Sequence, residues 1–175
     1  MAALGHDGPV LGIVGWKNNG KTTLVVRLVE WLTAQGYRVS TVKHAHHTVD
    51  IDQPGRDSWR HRQAGATEAV LATSRRFAVV HELRDEAEPA LEDLLARMAP
   101  VDLVVVEGFK RFGHPKIEVH RRERGTALIA PEDPSVIAVA TDHPALDTDR
   151  PLLPLDNVEA IARFALGRLG LRPPA

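Results

Sequence analysis

The residues with the clearest chemical potential lie between Gly15 and Thr23. There the chain reads Gly15-Trp16-Lys17-Asn18-Asn19-Gly20-Lys21-Thr22-Thr23. This is the pattern G-x-x-x-x-G-K-[ST], placed directly after an apolar run and before a helical pattern, the two contexts a phosphate-binding P-loop requires. A glycine-rich turn can point successive backbone N–H groups inward and form a nest for anionic oxygens. The following helix brings its free N-terminal N–H groups and positive dipole end to the same phosphates. Lys21 then supplies a mobile charge to the β- and γ-phosphates, and the Thr22 hydroxyl is placed to ligand Mg²⁺. The expected ligand is a nucleoside triphosphate with Mg²⁺. A chance match on a glycine-rich turn is the competing reading, and the flanking strand and helix speak against it.

A second element is the run Asp102-Leu-Val-Val-Val-Glu107-Gly108-Phe109-Lys110, a buried strand that stops at a carboxylate. A strand beside the P-loop strand commonly ends in an acidic residue that holds a metal-bound water. Glu107 reaches further than the more usual aspartate, so it can order the attacking water instead of the metal shell. Gly108 lets a ligand approach closely. An ordinary solvated strand end is the alternative. Lys110 reads equally well as an exposed lysine or as a phosphate or partner contact.

Lys43 and His44 end another β-prone run and are candidates to face the phosphates. In the loop that follows, Asp50, Asp52 and Asp57 can add a Mg²⁺ contact, Asp52 foremost, or sense the γ-phosphate. Solvated carboxylates and a helix cap explain them equally well. His44, His46 and His47 have spacing that can bind Zn²⁺ or Ni²⁺, but no cysteine joins them, and a polar loop near the nucleotide is the favoured reading. His61, His81, His114, His120 and His143 are scattered and need no role. No N-K-x-D guanine reader occurs. Asp142 is a substitute candidate, because a carboxylate accepts from guanine N1–H and N2–H and repels adenine N1. A turn aspartate before His143-Pro144 is the alternative.

The elements that must position these residues follow from periodicity. Val10–Val14 is too apolar to alternate and suits a strand buried on both faces. Leu24, Leu28, Trp31 and Leu32 recur at helical spacing, and Gly36 is a left-handed stop. Tyr37–Lys43 reads as a second parallel strand, joined to the first by a right-handed crossover. Asp57 can cap a short helix to Ala64, ended by Gly65. Residues 67–73 and 77–83 flank Ser-Arg-Arg as an antiparallel hairpin. Pro89 suits a first helical turn, with Leu91, Leu94, Leu95 and Met98 following before Pro100. Lys116–His120 alternates as a further strand, and Val136–Ala140 is a buried one delivering Thr141 and Asp142. Asp156-x-x-Glu159 resembles a capping box opening a last helix, with Ile161, Phe164, Ala165 and Leu169 inward and Gly170 after it.

With 175 residues the chain suits one domain with a real core. The expectation is a single nucleotide-binding domain over 1–175, its core at about 10–169 and flexible tails at 1–8 and 171–175. Lys plus Arg is 22 against 23 for Asp plus Glu, a net charge of −1. That balance offers no electrostatic footprint for nucleic acid or an anionic membrane. No apolar run approaches the ~18 residues of a transmembrane helix. The start MAALGHDGP lacks a signal peptide's basic and apolar segments, and zero cysteines exclude a disulfide framework or thiolate metal site. A soluble cytoplasmic protein is expected.

The motifs GxxNxGKTTL, TVKHAHH, DxDxPGxDSWxxRxAGA, VEGFK, PKIEVHR and IAVATD follow in that order. Together they closely resemble the molybdopterin-guanine dinucleotide biosynthesis adapter proteins, the MobB family, over about Val10 to Leu169. The resemblance implies a GTP-binding protein with weak intrinsic GTPase activity and Mg²⁺ in the site. It also implies a homodimer with an accessory role beside the guanylyltransferase that attaches GMP to molybdopterin, among related cofactor-assembly proteins. Carried over, Gly15 to Thr23 form the phosphate loop, Glu107 the acidic strand end, and the stretches Lys43–His47 and Asp50–Ser58 line the site. Asn19 stands where related loops often have Ser or Thr.

Two other classes compete. A small P-loop kinase or ATP-dependent ligase needs a lid and an acceptor pocket, and no lid insertion is obvious. Partitioning ATPases carry an extra lysine five residues before the P-loop lysine, a place held here by Trp16, with Lys17 one position late. A metal-insertion GTPase is faintly suggested by the histidines. The expected fold is α/β: a P-loop NTPase with a mostly parallel, doubly wound sheet and a hairpin and edge-strand extension. The hairpin near 67–83 and the strand near 116–120 are expected outside the core βαβ units. As unpaired strand edges they would form the dimer surface.

Overall fold

The computed structural model describes residues 5–45 and 53–174. The chain divides into two compact units, Met1–His44 with Leu91–Ala175, and Ala45–Ala90.

The larger unit is built on a six-stranded sheet. Its strands are β1 (Val10–Val14), β2 (Val39–Lys43), β5 (Leu103–Glu107), β6 (Lys116–His120), β7 (Val136–Thr141) and β8 (Leu152–Pro154), in the spatial order β2-β5-β1-β6-β7-β8. Every pairing in it is parallel. Parallel strands are covered on both faces and so read as continuous apolar runs, as VLGIV and LVVVE do. Leu11, Ile13, Val105, Ile117 and Val119 pack with Leu24, Leu28 and Leu32 of α1 (Lys21–Ala34) and Ile161 and Ala165 of α4 (Val158–Leu169). On the opposite face Val104 and Val106 meet Leu91 of α3 (Leu91–Leu95) and Phe109, while Val14 and Val139 meet Ala130. The sheet is doubly wound, as expected.

Local chemistry sets the helix ends. At the end of α1, Gly36 adopts φ 87°, and Tyr37 N–H reaches back to Leu32 O at 3.1 Å, a Schellman closure that a glycine makes without strain. Tyr37 is buried against the core, and the second strand accordingly starts at Val39, two residues later than expected. At α4 the cap is Asn157, whose side chain accepts from Ala160 N–H at 3.0 Å. The expected capping box on Asp156 is thus displaced by one residue, since an asparagine serves equally well as N-cap. α3 spans only one turn or so, beginning two residues after Pro89.

The strand Lys116–His120 requires a larger correction. It is not an edge and does not lie outside the core: β6 pairs with β1 on one side and β7 on the other, and all five residues are buried. Its alternation misleads because the polar residues are buried with partners. Lys116 Nζ donates to Asp133 Oδ2 at 2.8 Å, to Ser135 Oγ at 2.6 Å and to Phe112 O. Glu118 accepts from Ile129 N–H and Ala130 N–H at 2.9–3.0 Å. A dimer surface cannot use this strand's edges.

The smaller unit holds α2 (Asp57–Gln63), β3 (Glu68–Ala72) and β4 (Phe77–His81). The expected hairpin is present, antiparallel, with Val70 opposite Val79 and Ala72 opposite Phe77. Thr73 closes its turn by accepting from Arg75 and Arg76 N–H. Asp57 is the first residue of α2 rather than its cap, and Gly65 follows at φ 113°.

Candidate functional site

Register alone brings the chemistry together. Glu107 lies opposite Ile13 on β1 and opposite Lys43 on β2, so both carboxyl-terminal residues meet the loop that begins at Gly15. In open α/β sheets ligands bind outside the carboxyl ends of the strands. Gly15 has φ 146°, and a Cβ there would stand 2.5 Å from Val119 O. Only glycine lets the loop leave β1 so close to β6. Asn18 adopts the left-handed region at φ 66°, which asparagine tolerates better than most residues.

The Gly15–Gly20 loop is braced from the side by the segment after β6. Trp16 Nε1 donates to Ala127 O at 2.7 Å, and the fully buried Asn19 donates through Nδ2 to Thr126 Oγ1 at 3.2 Å. Thr126 O in turn lies 3.2 Å from His120 Nε2. The amide at position 19 therefore ties the loop down where a hydroxyl would reach less far. Lys17 is exposed at the rim.

Lys21, Thr22 and Thr23 form the first turn of α1, with Gly20 as its N-cap. Thr22 Oγ1 donates to Glu107 Oε1 at 2.7 Å and accepts from Lys43 Nζ at 3.4 Å. Lys43 Nζ is also 3.3 Å from Glu107 Oε1. Lys21 Nζ donates to Trp16 O at 3.0 Å. Burial pulls Lys21 below the usual lysine range; Glu107 opposes this, while Lys110 and Lys43 add to it. Lys110 Nζ stands 4.0 Å above the Trp16 ring, a cation–π contact that brings this lysine to the phosphate loop. Lys21 thus has two further ammonium groups, Lys43 and Lys110, and one carboxylate, Glu107, as electrostatic neighbours.

Gly108 has φ 96°, and a Cβ there would approach His44 Cβ at 3.1 Å. His44 N–H donates to Glu107 O at 2.9 Å, and its ring lies 4.7 Å from that of Phe109. His44 therefore packs against the β5 end. Asp142 follows β7 on the same sheet edge, its Oδ1 accepting from Arg122 N–H at 2.8 Å. Asp50, Asp52, His46 and His47 lie outside the described residues. Among the described residues no cluster of three or more histidine, aspartate or glutamate side chains could hold a metal ion, and no helix is long and apolar enough to cross a membrane.

Sequence reasoning missed three side chains that shape this edge. Arg121 lies over Gly20, its Nε 3.2 Å from where a Cβ would stand. His120, set aside as scattered, lies between Thr126 O and Thr141 Oγ1. Arg27 of α1 donates to the backbone oxygens of Leu155 and Asp156. For His120 and Arg121 the sequence signal was the polar alternation of β6 and the basic run after it; Arg27, on α1, had none.

The model of the family MobB, molybdopterin guanine dinucleotide synthesis protein B, matches residues 10–142. The chain belongs to the MobB family. Among MobB relatives, it is 43% identical over 160 residues to the molybdopterin-guanine dinucleotide biosynthesis adapter protein of Haemophilus influenzae, covering 89% of this chain and 86% of that protein. It is 41% identical over 164 residues to the adapter protein of Escherichia coli K12, covering 90% and 91%. A crystal structure of molybdopterin-guanine biosynthesis protein B superposes with a TM-score of 0.72 at 29% identity, over 91% of this chain and 99% of that one. The matched span includes every candidate from Gly15 to Asp142, and the MobB architecture is that of a P-loop NTPase.

Proposed function

We propose that this MobB chain is a GTP-binding adapter protein with weak, Mg²⁺-dependent intrinsic GTPase activity. It acts in the cytoplasm in molybdopterin guanine dinucleotide biosynthesis, as a homodimer beside the guanylyltransferase that attaches GMP to molybdopterin and related cofactor-assembly proteins. The observation that carries the nucleotide part is the contact of Thr22 with Glu107 at 2.7 Å, flanked by Lys43 and by Lys21 at the start of α1.

The residues suit the ligand. Lys21 has Lys43, Lys110 and the single carboxylate of Glu107 as electrostatic neighbours, an excess of positive charge that a polyphosphate neutralises. The Thr22 hydroxyl and the Glu107 carboxylate are adjacent hard oxygen donors, the type Mg²⁺ takes beside phosphate oxygens. Bound Mg²⁺ would neutralise charge developing on the phosphates. Among the described residues the side-chain contacts of Glu107 fall on Oε1, and Oε2 is the oxygen that would order the attacking water. Lys43 and Thr22 hold that carboxylate in place beside the phosphate loop. The nest of Gly15 to Gly20 and the first turn of α1 bind and orient the phosphate chain.

The homodimer reading rests on the hairpin. Val70, Leu71, Phe77 and Val79 are 51–73% exposed on β3 and β4, an apolar surface with unpaired edges that a second copy can cover. Light scattering at micromolar concentration is expected to give twice the chain mass; a monomer would refute it. For the nucleotide, phosphate release from GTP in Mg²⁺ is expected to be slow and to vanish in Lys21→Ala. Release no faster than a protein-free blank, or equal in the variant, would contradict the reading.

A further inference from the structure

At the open end of the hairpin, Glu68 on β3 stands directly opposite His81 on β4. Glu68 Oε1 lies 2.8 Å from His81 Nδ1. After β4 the chain turns back at once, Glu86 N–H donating to Leu83 O at 2.6 Å. That turn brings Glu86 Oε2 to 3.1 Å from His81 Nε2. Within it Arg84 takes φ 46°, the left-handed region that a residue other than glycine enters at a cost, and its Nη2 donates to Ala66 O at 2.9 Å. One imidazole thus ties two strands and a strained turn together.

The two partners decide the protonation state of the ring. An ionised carboxylate only accepts, so each ring nitrogen must donate; a neutral imidazole has one N–H and an imidazolium has two. Both hydrogen bonds exist together only in the charged form. Glu68 first, and then Glu86, hold His81 above the usual histidine range. These are the charged groups that act on it from β3 and from the turn. Glu82 pairs instead with Arg62 of α2, and Arg84 is directed at a backbone oxygen. A folded-state pKa above the unfolded 6.5 means that the tie is complete below pH 6.5 and is lost as pH rises through the folded value.

The tie borders the exposed apolar face. Side chains alternate along a strand, so Val70 and Ala72 of β3 and Phe77 and Val79 of β4 share the face of Glu68 and His81. Val70, Phe77 and Val79 are 51–73% exposed there. A neutral ring keeps one carboxylate. Glu86 makes the longer contact and sits on the strained turn, so it is the one released.

We propose that His81 is a pH-sensitive clasp: as imidazolium it bridges Glu68 and Glu86 and holds the open end of the hairpin together, and on losing a proton it releases Glu86 and loosens the turn at 83–86. The apolar face is then presented in its ordered form on the acid side, a step toward assembly that alone rests on the homodimer reading above. Ring-nitrogen NMR titration of the full chain, with His81→Gln assigning the signal, is expected to show both nitrogens protonated at pH 6 and a midpoint above 6.5. In Glu68→Gln with Glu86→Gln the midpoint should return toward 6.5. Hydrogen exchange, corrected for the intrinsic rate, reads the clasp itself. Protection in β3, β4 and 82–86 is expected to fall about threefold between pH 6 and pH 8.5 in the wild type and to stay level in His81→Gln. A midpoint at or below 6.5, or protection that responds to pH no more in the wild type than in His81→Gln, overturns the clasp. Light scattering at the same two pH values tests the assembly step. A dimer that weakens with pH in the wild type alone supports that step, and one equally tight at both overturns it. A monomer at both, with the exchange result intact, refutes the homodimer and leaves the clasp standing.

Discussion

Replacing Glu107 by glutamine separates binding from hydrolysis. The glutamine keeps an oxygen that can accept from Thr22 Oγ1, now 2.7 Å from Oε1, so the loop geometry is retained. What is lost is the ion pair with Lys43 at 3.3 Å, and that lysine side chain is 58% exposed. With its cationic partner open to solvent the pair contributes about 1 kcal/mol, so folding and GTP affinity should change by no more than about fivefold. The chemical step is different. If Oε2 orders and deprotonates the attacking water, loss of the carboxylate removes a contribution of about 10²-fold or more in rate, roughly 2.7 kcal/mol of barrier. Single-turnover phosphate release, with enzyme in excess over GTP, reads this step directly. A variant that binds GTP as the wild type does and hydrolyses it about a hundredfold more slowly is the expected result. Equal rates would exclude Glu107 from the chemistry and leave it as a brace for Thr22.

Lys21→Ala is expected to weaken GTP by more than a hundredfold, because it removes a charge-assisted contact to phosphate; a smaller loss by calorimetry would shift that role to Lys43. Lys116→Met strands the Asp133 carboxylate, whose pKa burial raises but which the Lys116 and Ser135 hydrogen bonds hold below the usual range. Breaking such a buried pair costs about 3–5 kcal/mol, and urea unfolding should show a loss of that order, partly restored by a second change, Asp133→Leu. His114 has both ring nitrogens buried without a partner among the described residues, and burial, with Lys116 adding to it, pushes its pKa from 6.5 down to about 4. The folded chain thus favours the neutral ring, so this stability is complete above about pH 6.5 and is lost as pH falls through 4. The full gap corresponds to about 3.4 kcal/mol, reduced by partial exposure to about 1–2 kcal/mol. The drop in urea midpoint between pH 7 and pH 4.5 should therefore be smaller in His114→Phe than in the wild type.

The parts of the site that were legible in the sequence are those made by neighbours in the chain. Gly15 to Thr23 carry their own strand-loop-helix context, and LVVVE announces a buried strand ending at Glu107. The hairpin was legible because β-branched runs flank a polar Ser-Arg-Arg turn. The misreading of β6 has a physical cause. Lys116, Glu118 and His120 alternate with apolar residues as an exposed strand would, yet each is buried because a distant partner satisfies it: Asp133, the Ile129–Ala130 backbone, or Thr126 and Thr141. Pattern reads polarity and cannot read a partner. Arg121 was invisible for the same reason, since its neighbours Gly20 and Asp142 come from separate segments that only the parallel order β1-β6-β7-β8 and α1 bring together. Asn157 took the cap expected of Asp156 because either residue can serve, and one residue is within the uncertainty of a helix boundary.

The most direct measurement is calorimetric titration of the purified chain with GTP and with ATP in the presence of Mg²⁺. A site in which Thr22 and Glu107 meet the phosphates while Asp142 reads the base should bind GTP at least tenfold more tightly, about 1.4 kcal/mol. Equal affinities, or a preference for ATP, would contradict a GTP-binding adapter and point to a kinase or ligase with an acceptor still to be found.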